Sequence, residues 1–151
     1  MNILVTGGSG FVGGKIISYL PSTYTVYSPS HTELDLTCAR TVTEWFDNHS
    51  IDVVIHCALS GREELFSTDT KYLCDGLLMF RNLWNNRNKF TRLINLGTGY
   101  EYDLTVNNEN SVEETFLNHL PTTSYGFSKN IIARIIHNTP EFYNIRLFGV
   151  F

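Results

Sequence analysis

Tyr125 and Lys129 stand four residues apart in "SYGFSK", which puts both side chains on one face if the segment is helical. A phenol with an ordinary pKa near 10 is a poor base at neutral pH, and an adjacent ammonium favours the phenolate and brings it toward use. The two residues therefore have the makings of one acid/base unit. With 8 Tyr and 4 Lys in 151 residues, composition alone supplies about 0.2 such pairs, so the spacing by itself is weak evidence.

A second group capable of chemistry opens the chain. "MNILVTGGSGFVGG" sets five glycines within eight positions directly after an apolar run. Gly8, Gly10 and Gly13 satisfy G-x-G-x-x-G between a strand and a helix, the context that pattern requires. Gly7 and Gly8 allow a tight turn, Gly10 lets a pyrophosphate approach the backbone, and Gly13 lets helix and strand pack closely. The first-turn N–H groups, from Phe11 and Val12 onward, and the helix dipole then face the anion.

Holding both groups in one place requires alternating strands and helices. Asn2 to Thr6 reads as a buried strand; Phe11, Val12, Ile16, Tyr19 and Leu20 recur at helical spacing until Pro21. A strand at about Tyr24 to Ser28 follows, then a short extended piece around Leu34 to Leu36. A helix near Ala39 to Asn48 comes next, with Thr37 placed to cap it, and then a central strand over Asp52 to Cys57. The stretch from about Arg62 to Asn88 reads as a long helix with Leu73, Leu77, Phe80 and Leu83 or Trp84 on one face. Arg92 to Leu96 is a strand, and Gly97 to Thr123 a polar excursion. Ser124 to about His137 is a helix with Phe127, Ile131, Ile132, Ile135 and Ile136 inward, and Tyr143 to Phe148 the last strand. Strands and helices in this alternation build a parallel sheet covered on both sides.

Several of these stretches resemble one family. "TGGSGFVGG" resembles the T-G-G-x-G-F-[IVL]-G signature of the extended short-chain dehydrogenases/reductases, the nucleotide-sugar epimerase/dehydratase group. "ELDLT", with Asp35 and Leu36, resembles the motif that holds the adenine ring. "VVIHCA" resembles the V-[IV]-H-x-A-A strand whose end, here Cys57, Ala58 and Leu59, lines the dinucleotide site, with Gly61 in the loop beyond. "INLGTGYEY" resembles the strand-end [ST]-x-x-x-Y pattern, with Thr98 four residues before Tyr102, and "NIRLFGVF" the R-x-x-N-[VI]-[YF]-G-P strand, with Gly149 where Asn is usual.

The resemblance implies an α/β, Rossmann-like doubly wound parallel sheet of about six strands in the order 3-2-1-4-5-6. It further implies an oxidoreductase, epimerase or dehydratase acting on a nucleotide-sugar with NAD or NADP. Thr98, Tyr125 and Lys129 would be the catalytic residues. Gly7, Gly10, Phe11, Val12, Gly13, Ser30, His31, Asp35, Leu36, Cys57, Ala58 and Leu59 would hold the cofactor together with Tyr125 and Lys129. "YSPSHTE" carries no acid before Glu33; an NAD-selective site usually has one at the end of the second strand, so NADP is favoured, although no arginine is present for its 2′-phosphate. Asp75 stands where the family usually shows Asn.

Residues 1–151 read as one NAD(P)-binding domain. Family members run to about twice this length, so the C-terminal substrate-binding lobe is expected to be absent. A binding module that senses the dinucleotide without turnover is the alternative. The apolar edge "RLFGVF" is expected to pair with a second copy, giving a homo-oligomer.

Composition excludes other classes. A formal charge of −4 without a basic cluster gives no support to nucleic acid or an anionic membrane as partner. No apolar run approaches the ~20 residues of a membrane span, so a soluble cytoplasmic protein is expected. Cys38, Cys57 and Cys74 are widely spaced and the five histidines lack ligand spacing, so neither a disulfide framework nor a metal is expected.

Overall fold

The computed structural model describes residues 1–60, 70–106 and 109–148. Five strands form one sheet: β1 (Asn2–Thr6), β2 (Thr25–Tyr27), β3 (Val53–His56), β4 (Arg92–Thr98) and β5 (Phe142–Leu147). Every neighbouring pair is parallel and the spatial order is β2-β1-β3-β4-β5. The chain runs outward from β1 to β2, then crosses back to β3 on the other side of β1. That reversal opens a crevice at the carboxyl ends of β1 and β3, the place where Rossmann-like sheets bind ligands.

Among the described residues four α-helices cover the sheet: α1 (Phe11–Tyr19), α2 (Ala39–Asn48), α3 (Thr70–Asn85) and α4 (Ser124–His137). On one face Ile3, Val5, Val53 and Ile55 pack under Ile16, Ile17 and Leu20 at the α1 end of the sheet. On the other, Leu4, Val54, Leu93 and Phe142 meet Val42 and Phe46 of α2, Phe80 and Leu83 of α3, and Ile132 and Ile136 of α4. Strands covered on both faces must be apolar at consecutive positions, which is why β1 and β3 read as unbroken apolar runs.

Five strands form where about six were expected, and the order agrees for the five. The piece around Leu34 to Leu36 is not a strand. The Asp35 carboxylate accepts from the Thr37 backbone N–H at 2.9 Å and its hydroxyl at 2.7 Å, curling the chain. Leu34 and Leu36 consequently drop into the core. Thr37 therefore does not cap α2; Cys38 stands at that position, with no side-chain bond. In α1 the inward positions are Ile16 and Ile17, while Phe11 and Tyr19 are exposed. In α4 Ile132 and Ile136 are buried as expected; Ile135 is exposed, and Ser128, Lys129 and Asn130 occupy buried positions instead. Residues 62–69 of the expected long helix, Gly61 and Gly149 lie outside the described residues. Among the described residues no helix is long and apolar enough to cross a membrane.

Candidate functional site

β1 ends at Thr6 and the chain turns at Gly7, whose φ is +68°. A Cβ there would also lie 2.7 Å from the Ala58 backbone at the exit of β3, so position 7 excludes any side chain on both counts. The Gly10 N–H closes the turn on the Gly7 carbonyl at 3.0 Å, and a Cβ at Gly13 would strike that same carbonyl. α1 thus starts hard against the turn. Its N-cap, Gly10, offers no side-chain bond, and its first turn carries no acid. The N–H groups of Phe11, Val12 and Gly13 therefore keep the unmet donors and partial positive charge of a bare helix start.

A cleft runs from this turn along the strand ends. Thr6, Gly7 and Ser9 form one end, Ser30, His31, Asp35 and Leu36 the other, and Ala58, Leu59, Ser60 and Met79 the wall between. At the far end the Ser30 N–H and hydroxyl both donate to the Glu33 carboxylate at 2.7 Å, placing an acid on that turn. Ser60 donates to Asp75 at 2.7 Å, with Lys71 on the same carboxylate at 3.7 Å. Cys57 packs with the α1-side cluster and lines neither this cleft nor the cavity next to it.

The Tyr125 and Lys129 side chains meet that second cavity, whose wall also includes His56 and Ser128. Ala58, Leu59, Ser60 and Met79 line both cavities, so the glycine turn and the tyrosine–lysine pair belong to one continuous site. α4 begins where Thr123 accepts from the Gly126 N–H at 3.1 Å, which sets Tyr125 in the first turn and Lys129 one turn later. Lys129 is almost wholly buried and donates from Nζ to the Leu96 carbonyl at 2.9 Å.

Thr98 closes β4, and its Oγ1 accepts from the Tyr100 N–H at 3.3 Å, at the start of the 3₁₀ turn Gly99–Glu101. The same hydroxyl acts on the Tyr125 phenol and pulls it toward ionisation. Burial outweighs that pull and holds Tyr125 above the ordinary tyrosine range, with Glu101 and Tyr100 adding to the rise. Burial also pushes Lys129 below the ordinary lysine range, while Glu101 and Cys57 pull it back. His56, fully buried and 2.8 Å by Nδ1 from Thr6 Oγ1, is pushed down to about 3 by burial and by the Lys129 charge. Burial raises Cys57 to about 11.

Tyr125 and Lys129 thus meet at one end of the cleft, while Thr98 lines neither cavity and acts on Tyr125 from the end of β4. Glu101, Ser60 and Met79 were not anticipated from the sequence. An acid between two tyrosines in "GYEY" was the one visible sign of Glu101.

The profile of the NAD dependent epimerase/dehydratase family matches residues 3–150. GDP-L-colitose synthase of Yersinia pseudotuberculosis is 28% identical over 133 residues, which are 85% of this chain and 43% of that protein. A GDP-mannoheptose C4 reductase from Campylobacter jejuni with NADP bound superposes with a TM-score of 0.84 at 20% identity, over 99% of this chain and 48% of that one. The dTDP-4-dehydrorhamnose reductase of Bacillus anthracis in complex with NADP gives 0.76 at 18% identity, over 99% and 56%. The chain spans about half the length of these relatives.

Proposed function

The chain belongs to the NAD dependent epimerase/dehydratase family, and from that premise we propose that it is the dinucleotide-binding part of an NAD(P)-dependent reductase or epimerase of nucleotide-sugars. The observation that carries this is the shared wall of Ala58, Leu59, Ser60 and Met79, which joins the Gly7–Ser9 turn before α1 to Tyr125 and Lys129.

The cradle fits a dinucleotide. A helix start without a capping side chain or an acid suits a pyrophosphate on the N–H groups of Phe11, Val12 and Gly13. Leu36 and Asp35, which line the far end of the cleft, would meet the adenosine, and Ser30 and His31 its ribose. NADP is the coenzyme favoured here. Solved relatives hold it, although the Glu33 carboxylate lies on the Ser30 turn beside that ribose.

When bound, the nicotinamide supplies or accepts the hydride. Tyr125 donates its proton to the carbonyl oxygen of a keto-sugar, or takes it back from the hydroxyl in the reverse direction. The Thr98 hydroxyl holds the same oxygen. Lys129 holds the nicotinamide ribose hydroxyls and, charged, stabilises the phenolate that Tyr125 becomes. A 4-keto-sugar nucleotide is the substrate class, by analogy with the reductases above.

Calorimetric titration of NADPH and NADH, followed by hydride exchange with a GDP-4-keto-sugar for wild type and Tyr125→Phe, tests this. Binding together with turnover that Tyr125→Phe abolishes is the expected outcome. Binding without turnover in either protein points to a sensing module, and turnover indifferent to the substitution removes Tyr125 from the mechanism.

A further inference from the structure

Resting on the catalytic reading just given, we propose that Glu101 is the positioning residue of this site, which holds Thr98 from beneath and sets one fixed negative charge behind the Tyr125–Lys129 pair. Its side chain is wholly buried at the end of the 3₁₀ turn that follows β4. One carboxylate oxygen accepts from the Thr98 N–H at 3.0 Å, closing a reciprocal cap in which Thr98 also receives the turn. The other accepts from Arg146 Nε at 2.6 Å, and Asn144 Nδ2 reaches both oxygens at 2.9 and 3.1 Å. The Glu101 carbonyl accepts from Asn130 Nδ2 at 2.6 Å, and Asn130 directly follows Lys129 in α4. One residue therefore ties the end of β4 to β5 and to the helix that carries both proposed acid/base groups.

The surroundings are built for a carboxylate. Three donors converge on it, and a glutamine could satisfy them with one oxygen only, turning its amide toward Arg146 or Asn144. Gly97 leaves the space, because a Cβ at that position would strike the carboxylate. The counter-cation is itself buried, with the Arg146 guanidinium lying 4.2 Å from the Phe116 ring centre and 5.4 Å from that of Tyr102, and also paired to Glu113. Lining up a complete ion pair under a strand end has no use for packing that apolar side chains would not serve as well.

The charge acts on the chemistry above it. Arg146 of β5 pairs with it directly and shares its other face with Glu113, and the Glu101 charge also reaches Lys129 and Tyr125 of α4 and Tyr102 of the polar excursion. An anion on this side favours the ammonium form of Lys129 and opposes the phenolate at Tyr125. Tyr125 then keeps its proton until a developing alkoxide claims it. The site is biased toward giving a proton, as ketone reduction requires.

Two substitutions separate the two roles. Glu101→Gln keeps an acceptor for the Thr98 N–H and removes the charge; Glu101→Asp keeps the charge and withdraws the acceptor. With 3-fluorotyrosine incorporated, ¹⁹F NMR follows the Tyr125 phenol, assigned by Tyr125→Phe, and amide exchange follows Thr98. Because Glu101→Gln leaves Arg146 buried and unpaired, the double variant Glu101→Gln/Arg146→Met is measured beside it. The expected result is a Tyr125 titration displaced to lower pH in both charge-removed proteins and unmoved in Glu101→Asp, in which the Thr98 amide exchanges about tenfold faster. An unmoved Tyr125 titration without the charge, an unchanged Thr98 amide in Glu101→Asp, or failure of both charge-removed proteins to fold overturns the proposal. NADPH titration of wild type is read separately: its failure removes the proposed function and leaves the comparison of variants intact.

Discussion

A buried phenol held above its ordinary pKa is a proton donor at neutral pH far more readily than a base, and this decides how Tyr125 behaves. Ketone reduction uses the protonated form, so its rate is expected to stay level through neutral pH and to fall only as alkaline pH takes the proton away. Alcohol oxidation uses the phenolate and is expected to rise with pH over the same range; initial rates in both directions from pH 6 upward check the sign. Tyr125→Phe should lower either rate by about 10² to 10⁴, with NADPH affinity within about twofold of wild type. Nearby, His56 has a folded pKa of about 3 against an ordinary value near 6.5. Below pH 6.5 the unfolded chain takes up a proton that the folded chain refuses, so stability should decline as pH falls from about 6.5 to about 3. The loss reaches at most about 5 kcal/mol. Urea unfolding across that window, with His56→Gln expected to show a flatter decline, measures it. At the far end of the cleft, Glu33→Gln removes the acid on Ser30 and should raise the NADPH-to-NADH affinity ratio, read by calorimetry.

Two elements carry the site, and both depend on how they begin. α1 begins against a turn that admits no side chain at position 7, so Gly7→Ala is expected to cost about 1–3 kcal/mol and to abolish NADPH binding; melting temperature and calorimetry check the two effects. α4 was legible almost to the residue, because the isoleucines supply the period, and the structure adds Thr123 as its cap. Its buried polar stretch was not legible, since Lys129 and Asn130 are drawn inward by partners on β4 and the polar excursion that no local pattern shows, while the Ser128 hydroxyl turns back to the Tyr125 carbonyl. Leu34 to Leu36 misled for the opposite reason. Alternating leucines read as a strand, and the Asp35 side chain wins the local backbone bonds that a strand would need.

At the scale of the molecule, sequence period yields the parallel sheet, because strands covered on both faces must be apolar throughout, and the family resemblance yields its strand order. The sequence could not show that Glu101 would find Arg146, a contact made only when β4 and β5 pair in register. β5 is the outermost strand among the described residues, with Tyr143 and Ile145 each 48% exposed. For the 151-residue chain by itself, concentration-dependent self-association through this edge is expected in light scattering, and Tyr143→Lys should reduce it; a monodisperse monomer of wild type would contradict this. The site as a whole rests on one coenzyme reaching from the start of α1 to Lys129, and amide-resolved NMR during NADPH titration tests that span directly. The amides of Phe11, Val12 and Gly13 and those around Tyr125 and Lys129 should shift together along a single saturation curve. Saturation that leaves the Phe11–Gly13 amides unmoved would contradict it.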